Sequence, residues 1–360
     1  MLLALVGLSA YMYLRPAGNG EAPREFGGST MGTTWRVVLG EYGEDASTSA
    51  AADAPASSRS RRADLAPLDV EVLQRAVDSL LRDVNAIMST YDTASELSRL
   101  NALARVDSVP VSAELAQVLR QSLGVYDVSG GYFDVTVGPL VDVYGFGPAA
   151  RPDSAPSDAL LDSLRAFVGS DKLRLGAGVV QKLHPSVRID LSAIAKGYGV
   201  DRVSDLLLER GFANHLVEIG GELRARGRNV RGEPFRVGIE EPDPDAVRVR
   251  LAVELEDRAL ASSGNYRNFY ERDGVRYVHT LDPVSGRPVQ HTLLAVSVLQ
   301  SECALADAWA TALMAAGPER AWTLAQDNSL DVLLLIDGGD GTLRERMTPG
   351  FEAAVRRSPQ

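Results

Sequence analysis

The sequence predicts an α+β protein built on a mixed, largely antiparallel sheet with flanking helices. Three observations lead there. Apolar residues recur at helical spacing through Leu73, Ala76, Val77, Leu80, Leu81, Val84, Ile87 and Met88. Val249, Leu251, Val253 and Leu255 alternate strictly with Arg250, Ala252 and Glu254, the period of a half-buried strand. Short strand-like runs at 215–219, 235–239, 249–255, 294–299 and 332–336 lack the regular strand, helix, strand rhythm of a parallel α/β sheet.

The composition bounds what such a fold can do. At 360 residues the chain has room for one large domain or two closely joined ones. With 45% hydrophobic and 24% charged residues it is ordinary globular protein. A net charge of −11 repels phosphate backbones, so nucleic acid is not an expected partner. The single cysteine, Cys303, excludes an intrachain disulfide and any multi-cysteine zinc or iron–sulfur centre.

Taken in order, residues 1–14 are almost wholly apolar and run into Arg15, Pro16, Ala17 and Gly18. This reads as a signal h-region or a short uncleaved anchor, shorter than the roughly 20 residues that span a bilayer comfortably. Residues 1–26 are therefore assigned to an export or tethering segment with its linker, placing the protein in the periplasm or on an extracytoplasmic face. Residues 27–350 form the expected domain, interrupted at 41–66 by an Ala/Ser/Asp/Arg-rich stretch without periodicity. A strand is expected at 35–39 and a helix over 73–88. Ser95 starts one further helix and Ser112 caps another through Leu115, Leu119 and Leu123. A Pro/Ala/Ser/Asp stretch runs from 148 to 158, a helix from about 193 to 210, and residues 337–341 read as a hairpin turn.

Five segments carry more glycine and polar side chains than folding requires. Gly28 to Thr34 brings small residues and Met31 before a strand, as either a plain turn or a close-approach loop. Tyr91, in the loop before Ser95, offers an aromatic face and a hydroxyl, or simple packing. Gly130, Gly131, Tyr132, Phe133 and Asp134 make a tight loop able to wrap a planar ligand. Arg188 to Gly197 joins a strand end to a helix start. There Asp190 can accept a ring N–H or cap the helix, and Lys196 can meet a phosphate or stay solvated. In the fifth, His279 precedes Thr280, Leu281 and Asp282 at a Pro/Gly turn, as a base near neutral pH or a satisfied histidine. Downstream, Asp307 and Thr311 stand four apart on one helix face and offer hard oxygens that suit magnesium better than zinc.

Order and wording unite these segments. The sequence resembles the ApbE family of flavin transferases at Met31-Gly32-Thr33, Ser89-Thr90-Tyr91, Ser95 to Asn101, Phe133 to Thr136, Asp190 to Gly197 and Ile219-Gly220-Gly221. The same order continues through Ser263 to Tyr266, His279 to Pro283 and Ala306 to Thr311. That resemblance implies an enzyme binding FAD as substrate with Mg2+. It would move FMN through a phosphoester to a Thr or Ser hydroxyl of an acceptor flavoprotein, such as a subunit of a membrane redox pump, and release AMP. It also implies that Met31, Tyr91, Tyr132, Phe133, Asp134, Asp190, Lys196, Thr280 and Leu281 bind the dinucleotide. The Ala193 carbonyl, Asp307 and Thr311 would hold the metal, and His279 would activate the acceptor hydroxyl, with Asp307 joining it as catalytic. Thr280 and Leu281 replace the commoner isoleucine pair. Tyrosine at 91 favours transfer, since members that mainly hydrolyse FAD can carry asparagine near that position. The remaining expectations are a FAD pyrophosphatase and a non-enzymatic flavin-binding protein.

Overall fold

The computed structural model describes residues 24–40, 70–147, 151–244, 246–339 and 341–356. The expected leader and the 41–66 stretch lie outside the described residues, as do residues 148–150 of the 148–158 stretch. The centre of the molecule is an eight-stranded sheet. Its strands, numbered along the chain, are β1 (Glu25–Thr30), β2 (Thr33–Leu39), β3 (His215–Ile219), β4 (Glu222–Arg226), β5 (Ala259–Gly264), β6 (Leu293–Gln300), β7 (Asp331–Asp337) and β8 (Leu343–Met347). Spatial order equals chain order, and every pairing is antiparallel. The α+β class is as the sequence predicts, and the sheet carries no parallel component. Long excursions between neighbouring strands, rather than crossovers, hold the helices.

The helices are α1 (Val70–Met88), α2 (Glu96–Ala102), α3 (Ala113–Ser129), α4 (Gly138–Val143), α5 (Asp158–Arg165), α6 (Ala195–Glu209), α7 (Cys303–Ala316), α8 (Pro318–Asp327) and α9 (Pro349–Ala354). In α1 the buried residues Leu73, Val77, Leu81, Val84 and Met88 are spaced three or four apart, so one stripe faces inward. Ser95 and Ser112 cap α2 and α3 as expected, accepting from the amides of Ser98 (2.9 Å) and Leu115 (3.2 Å). Helix α7 is buried almost all round, as its run of alanines with Leu305, Trp309, Leu313 and Met314 allows.

Period-two alternation sorts the strand side chains between two cores. Along β7, Val332 and Leu334 join the helices while Leu333 and Leu335 join a second layer. That layer is a three-stranded sheet of Phe235–Glu240, Val249–Leu255 and Val355–Arg356, with α9 beside it. Both faces of the large sheet are thus covered, which explains why β6 and β7 read as continuous apolar runs.

The crossing of α6 and α7 positions the site. A Cβ placed on Gly197 would lie 2.4 Å from the Cys303 carbonyl oxygen and 2.8 Å from the Ala304 Cα, backbone atoms that cannot swing aside. Gly197→Ala is therefore expected to cost about 1–3 kcal/mol by overpacking. A calorimetric melting curve checks it, and an unshifted midpoint would refute the close crossing.

Candidate active site

Two carboxylates tie α6 and α7 to each other. Asp201 of α6 accepts from the Cys303 amide through Oδ1 and from the Ala304 amide through Oδ2, both at 2.9 Å, and so caps α7, whose own N-cap Glu302 makes no side-chain cap bond. Asp307 of α7 returns the contact: its Oδ2 accepts from the Gly197 amide at 3.1 Å, in the first turn of α6. Arg224 of β4 pairs with Asp201 at 2.5 Å and offsets the burial of its charge. Asp201→Asn keeps an acceptor for one amide but not both, and is expected to destabilise the fold by about 1–3 kcal/mol. Chemical denaturation checks this, and unchanged stability would contradict the capping role.

The exchange has a local result at Ala193. Ordinary helical pairing would send the Gly197 amide to the Ala193 carbonyl, four residues back. Here that amide goes to Asp307, and no backbone amide is bonded to the Ala193 carbonyl in the turn leading into α6. One turn along α7 from Asp307, the Thr311 hydroxyl lies 3.3 Å from Ser263 Oγ on β5. A carbonyl, a carboxylate and a hydroxyl, all hard oxygen donors, are therefore held by α6 and α7. Among the described residues, no group of three or more His, Cys, Asp or Glu side chains gathers as a metal site.

Lys196, the second residue of α6, points its ammonium at Glu222 Oε1, 2.5 Å away at the start of β4. Burial opposes its charge, but the Glu222 and Asp307 carboxylates outweigh burial and hold it protonated well above the usual lysine range. Burial pushes the Glu222 carboxyl up, partly offset by Lys196, and burial likewise raises Asp307. Two carboxylates thus share one ammonium, with Glu222 almost wholly buried and the Lys196 side chain still 32% exposed. The sequence segment around Gly220 and Gly221 is suggestive of a close approach. Nothing in it distinguishes Glu222, because the partner that gives this residue meaning sits on another element.

His279 follows the ribbon formed by Phe269–Arg272 and Val275–Val278. Its Nδ1 contacts the Asn268 carbonyl at 3.3 Å, and since a carbonyl only accepts, Nδ1 carries the proton and Nε2 the lone pair. Burial lowers its pKa, the Asn268 carbonyl opposes this, and the Lys196 charge lowers it further. His279 is thus within electrostatic reach of the Lys196 cluster, and its imidazole is kept neutral.

Met31 occupies the two-residue turn between β1 and β2 with φ of 49°, followed by Gly32 at 74°. A non-glycine residue is strained there. The turn brings the Met31 side chain onto α6, where its Cε would lie 3.5 Å from a Cβ on Gly199. Tyr91 is 65% exposed in the loop before α2, within electrostatic reach of Asp190 and Asp142. Asp190 uses Oδ1 to accept from the Ser192 amide at 2.8 Å and its hydroxyl at 2.5 Å, closing the turn that precedes α6. The other expected binding residues stand differently. Phe133 is 1% exposed in the core, and Tyr132 packs half-buried beside it. Asp134 Oδ1 is occupied by the Thr136 amide and hydroxyl (2.8 and 2.7 Å) and by the Ser170 hydroxyl (2.6 Å). Thr280 is buried, its carbonyl accepting from the Val289 amide, and Leu281 packs with Leu140 and Tyr144. The structure sets Lys196 beside the Gly197 amide that Asp307 accepts from, with Thr311 one turn along the same helix, and leaves His279 within electrostatic reach of Lys196. The Phe133, Asp134 and Leu281 side chains are committed to packing and internal hydrogen bonds.

Residues 31–334 match the family model described as ApbE family. A protein of Vibrio cholerae serotype O1 called FAD:protein FMN transferase is 44% identical over 273 residues, covering 76% of this chain and 82% of that one. One of the same description from Haemophilus influenzae is 38% identical over 320 residues, covering 87% and 86%. Among solved structures, flavin transferase ApbE from Vibrio cholerae superposes with a TM-score of 0.78 at 37% identity, over 92% of this chain and all of that one. Pseudomonas stutzeri flavinyl transferase ApbE, apo form, gives 0.78 at 34%, covering 92% and 96%.

Proposed function

The chain belongs to the ApbE family and is an FAD:protein FMN transferase, and from that premise we propose a magnesium-dependent transfer to a threonine or serine hydroxyl through a phosphoester. The acceptor oxygen forms a bond to the phosphorus on the FMN side of the pyrophosphate. The bond to the bridging oxygen breaks, AMP leaves with the electron pair, and the hydroxyl proton passes to a base.

The observation that supports this reading is the Lys196 ammonium, held by Glu222, one residue before the Gly197 amide from which Asp307 accepts, with His279 within electrostatic reach. Nε2 of His279 is the proton acceptor, unprotonated because burial and Lys196 both disfavour the imidazolium. Lys196 is the fixed positive charge that meets the diphosphate, close to the first-turn amides of α6. The Ala193 carbonyl, Asp307 carboxylate and Thr311 hydroxyl would hold Mg2+, and the freed carbonyl at Ala193 fits that role. When bound, the ion would supply charge neutralisation on the phosphate oxygens. Met31, Tyr91, Tyr132, Phe133, Asp134, Asp190, Thr280 and Leu281 are proposed to shape the FAD cleft, some by direct contact and the buried ones as its walls.

Residues 1–14 support the further proposal that the protein works on an extracytoplasmic face, exported or tethered, on flavin-carrying subunits of membrane redox pumps or exported flavoproteins. Among the described residues, no helix is long and apolar enough to cross a membrane. The deciding experiment incubates the protein with FAD, Mg2+ and a candidate acceptor and weighs the products. An FMN adduct on the acceptor with AMP released is expected. Free FMN and AMP without an adduct would mark a pyrophosphatase, and no AMP would mark a flavin-binding protein.

A further inference from the structure

Glu222 takes no part in the reaction as described above. It is 2% exposed, Oε1 holds the Lys196 ammonium, and Oε2 is buried with no hydrogen-bond partner. A carboxylate left half unsatisfied in a dry place is costly, and it persists in folded proteins only where a counter-charge offsets it. The lysine it holds is otherwise a flexible stem. One wall of its path is the turn between β3 and β4: a Cβ on Gly220 would lie 3.4 Å from Lys196 Cδ and 2.9 Å from Thr33 Cγ2. Its ammonium also feels Asp307, the one charged member of the oxygen set on α6 and α7.

Resting on the transferase reading, we propose that Glu222 is a positioning residue: it fixes the Lys196 ammonium where the diphosphate of FAD arrives and keeps it from swinging onto Asp307. Without this tether, the nearest remaining anion for Lys196 is Asp307 itself, and their pairing would withdraw both groups from the substrate. A lysine alone can serve as a point charge, but its four-carbon stem fixes no direction. Glu222 supplies the direction from β4, at the far side of the stem.

Glu222→Gln keeps the size of the side chain and removes its charge. Its kcat is expected to fall by about 100-fold, the penalty of an ångström-scale misplacement, while KM for FAD stays within about threefold. Mg2+ binding measured by calorimetry on the FAD-free protein is expected to weaken, because Lys196 then competes for Asp307. In a Lys196→Met background, Glu222→Gln should cost nothing further in kcat, since the two act as one unit. Glu222→Asp, which retains the charge on a shorter stem, should fall between the wild type and the Gln variant, and it carries the test if the Gln variant does not fold. Wild-type kcat in either variant, or independent additive losses in the double variant, would overturn the proposal. Absence of transfer by the wild-type protein would instead overturn the transferase reading.

Discussion

Asp307→Asn lowers FMN transfer by about 10³-fold in a protein that still folds. The estimate follows from the cost of removing one preorganised charge from a reaction centre. Asparagine keeps a carbonyl oxygen to accept from the Gly197 amide, so the first turn of α6 retains its cap and the helix crossing survives. What is lost is the only carboxylate among the three oxygens proposed for Mg2+. Asp307→Ala removes both, and should add roughly 1 kcal/mol of destabilisation from the lost cap. The measurement is a rate of acceptor modification at saturating FAD over a Mg2+ titration, with a melting curve beside it. Transfer by the Asn variant at the wild-type rate would remove Asp307 from the reaction centre.

His279→Ala is expected to reduce transfer by about 10²–10⁴-fold, the range of a general base, while FAD binding measured by flavin fluorescence is nearly unchanged. Equal loss of both would show that the imidazole only shapes the pocket. The pH profile gives a second reading with a defined sign. The base form is neutral imidazole, and burial, with Lys196, lowers the pKa. Transfer should therefore hold as pH falls through the ordinary imidazole value of about 6.5 and decline only at more acidic pH. A decline centred at or above that value would mean the histidine does not feel the partial burial and the Lys196 charge that the structure gives it.

Local signals in the sequence carried a large part of this fold. The caps Ser95 and Ser112, the stripe of α1 and the strands at 215–219 and 249–255 stand where spacing and capping chemistry put them. The strictly antiparallel order was not legible, because pairing joins residues far apart in the chain: β2 lies beside β3, with Trp35 opposite Ile219. For the same reason the motif around Asp307 and Thr311 could be read as a helix face, whereas its contact with Gly197 could not. Glu222 and Asp201 were invisible as special residues. Each acts on a partner from another element, Lys196 for one, and Arg224 and the start of α7 for the other. Met31 was legible as part of a Gly-bearing turn, but its positive φ depends on the tight pairing of Thr30 with Thr33.

The mutual capping of α6 and α7 has a consequence for biogenesis. The contacts that complete it span 102, 103 and 110 residues of chain. Neither helix can finish its end until the other has emerged and docked, so the reaction centre comes into being only near the close of folding, when long-range contacts are made. A chain stalled or clipped before α7 would hold most of the walls of the cleft and none of its reactivity. Appearance of transferase activity during refolding would then mark arrival at the native state rather than any earlier collapsed species.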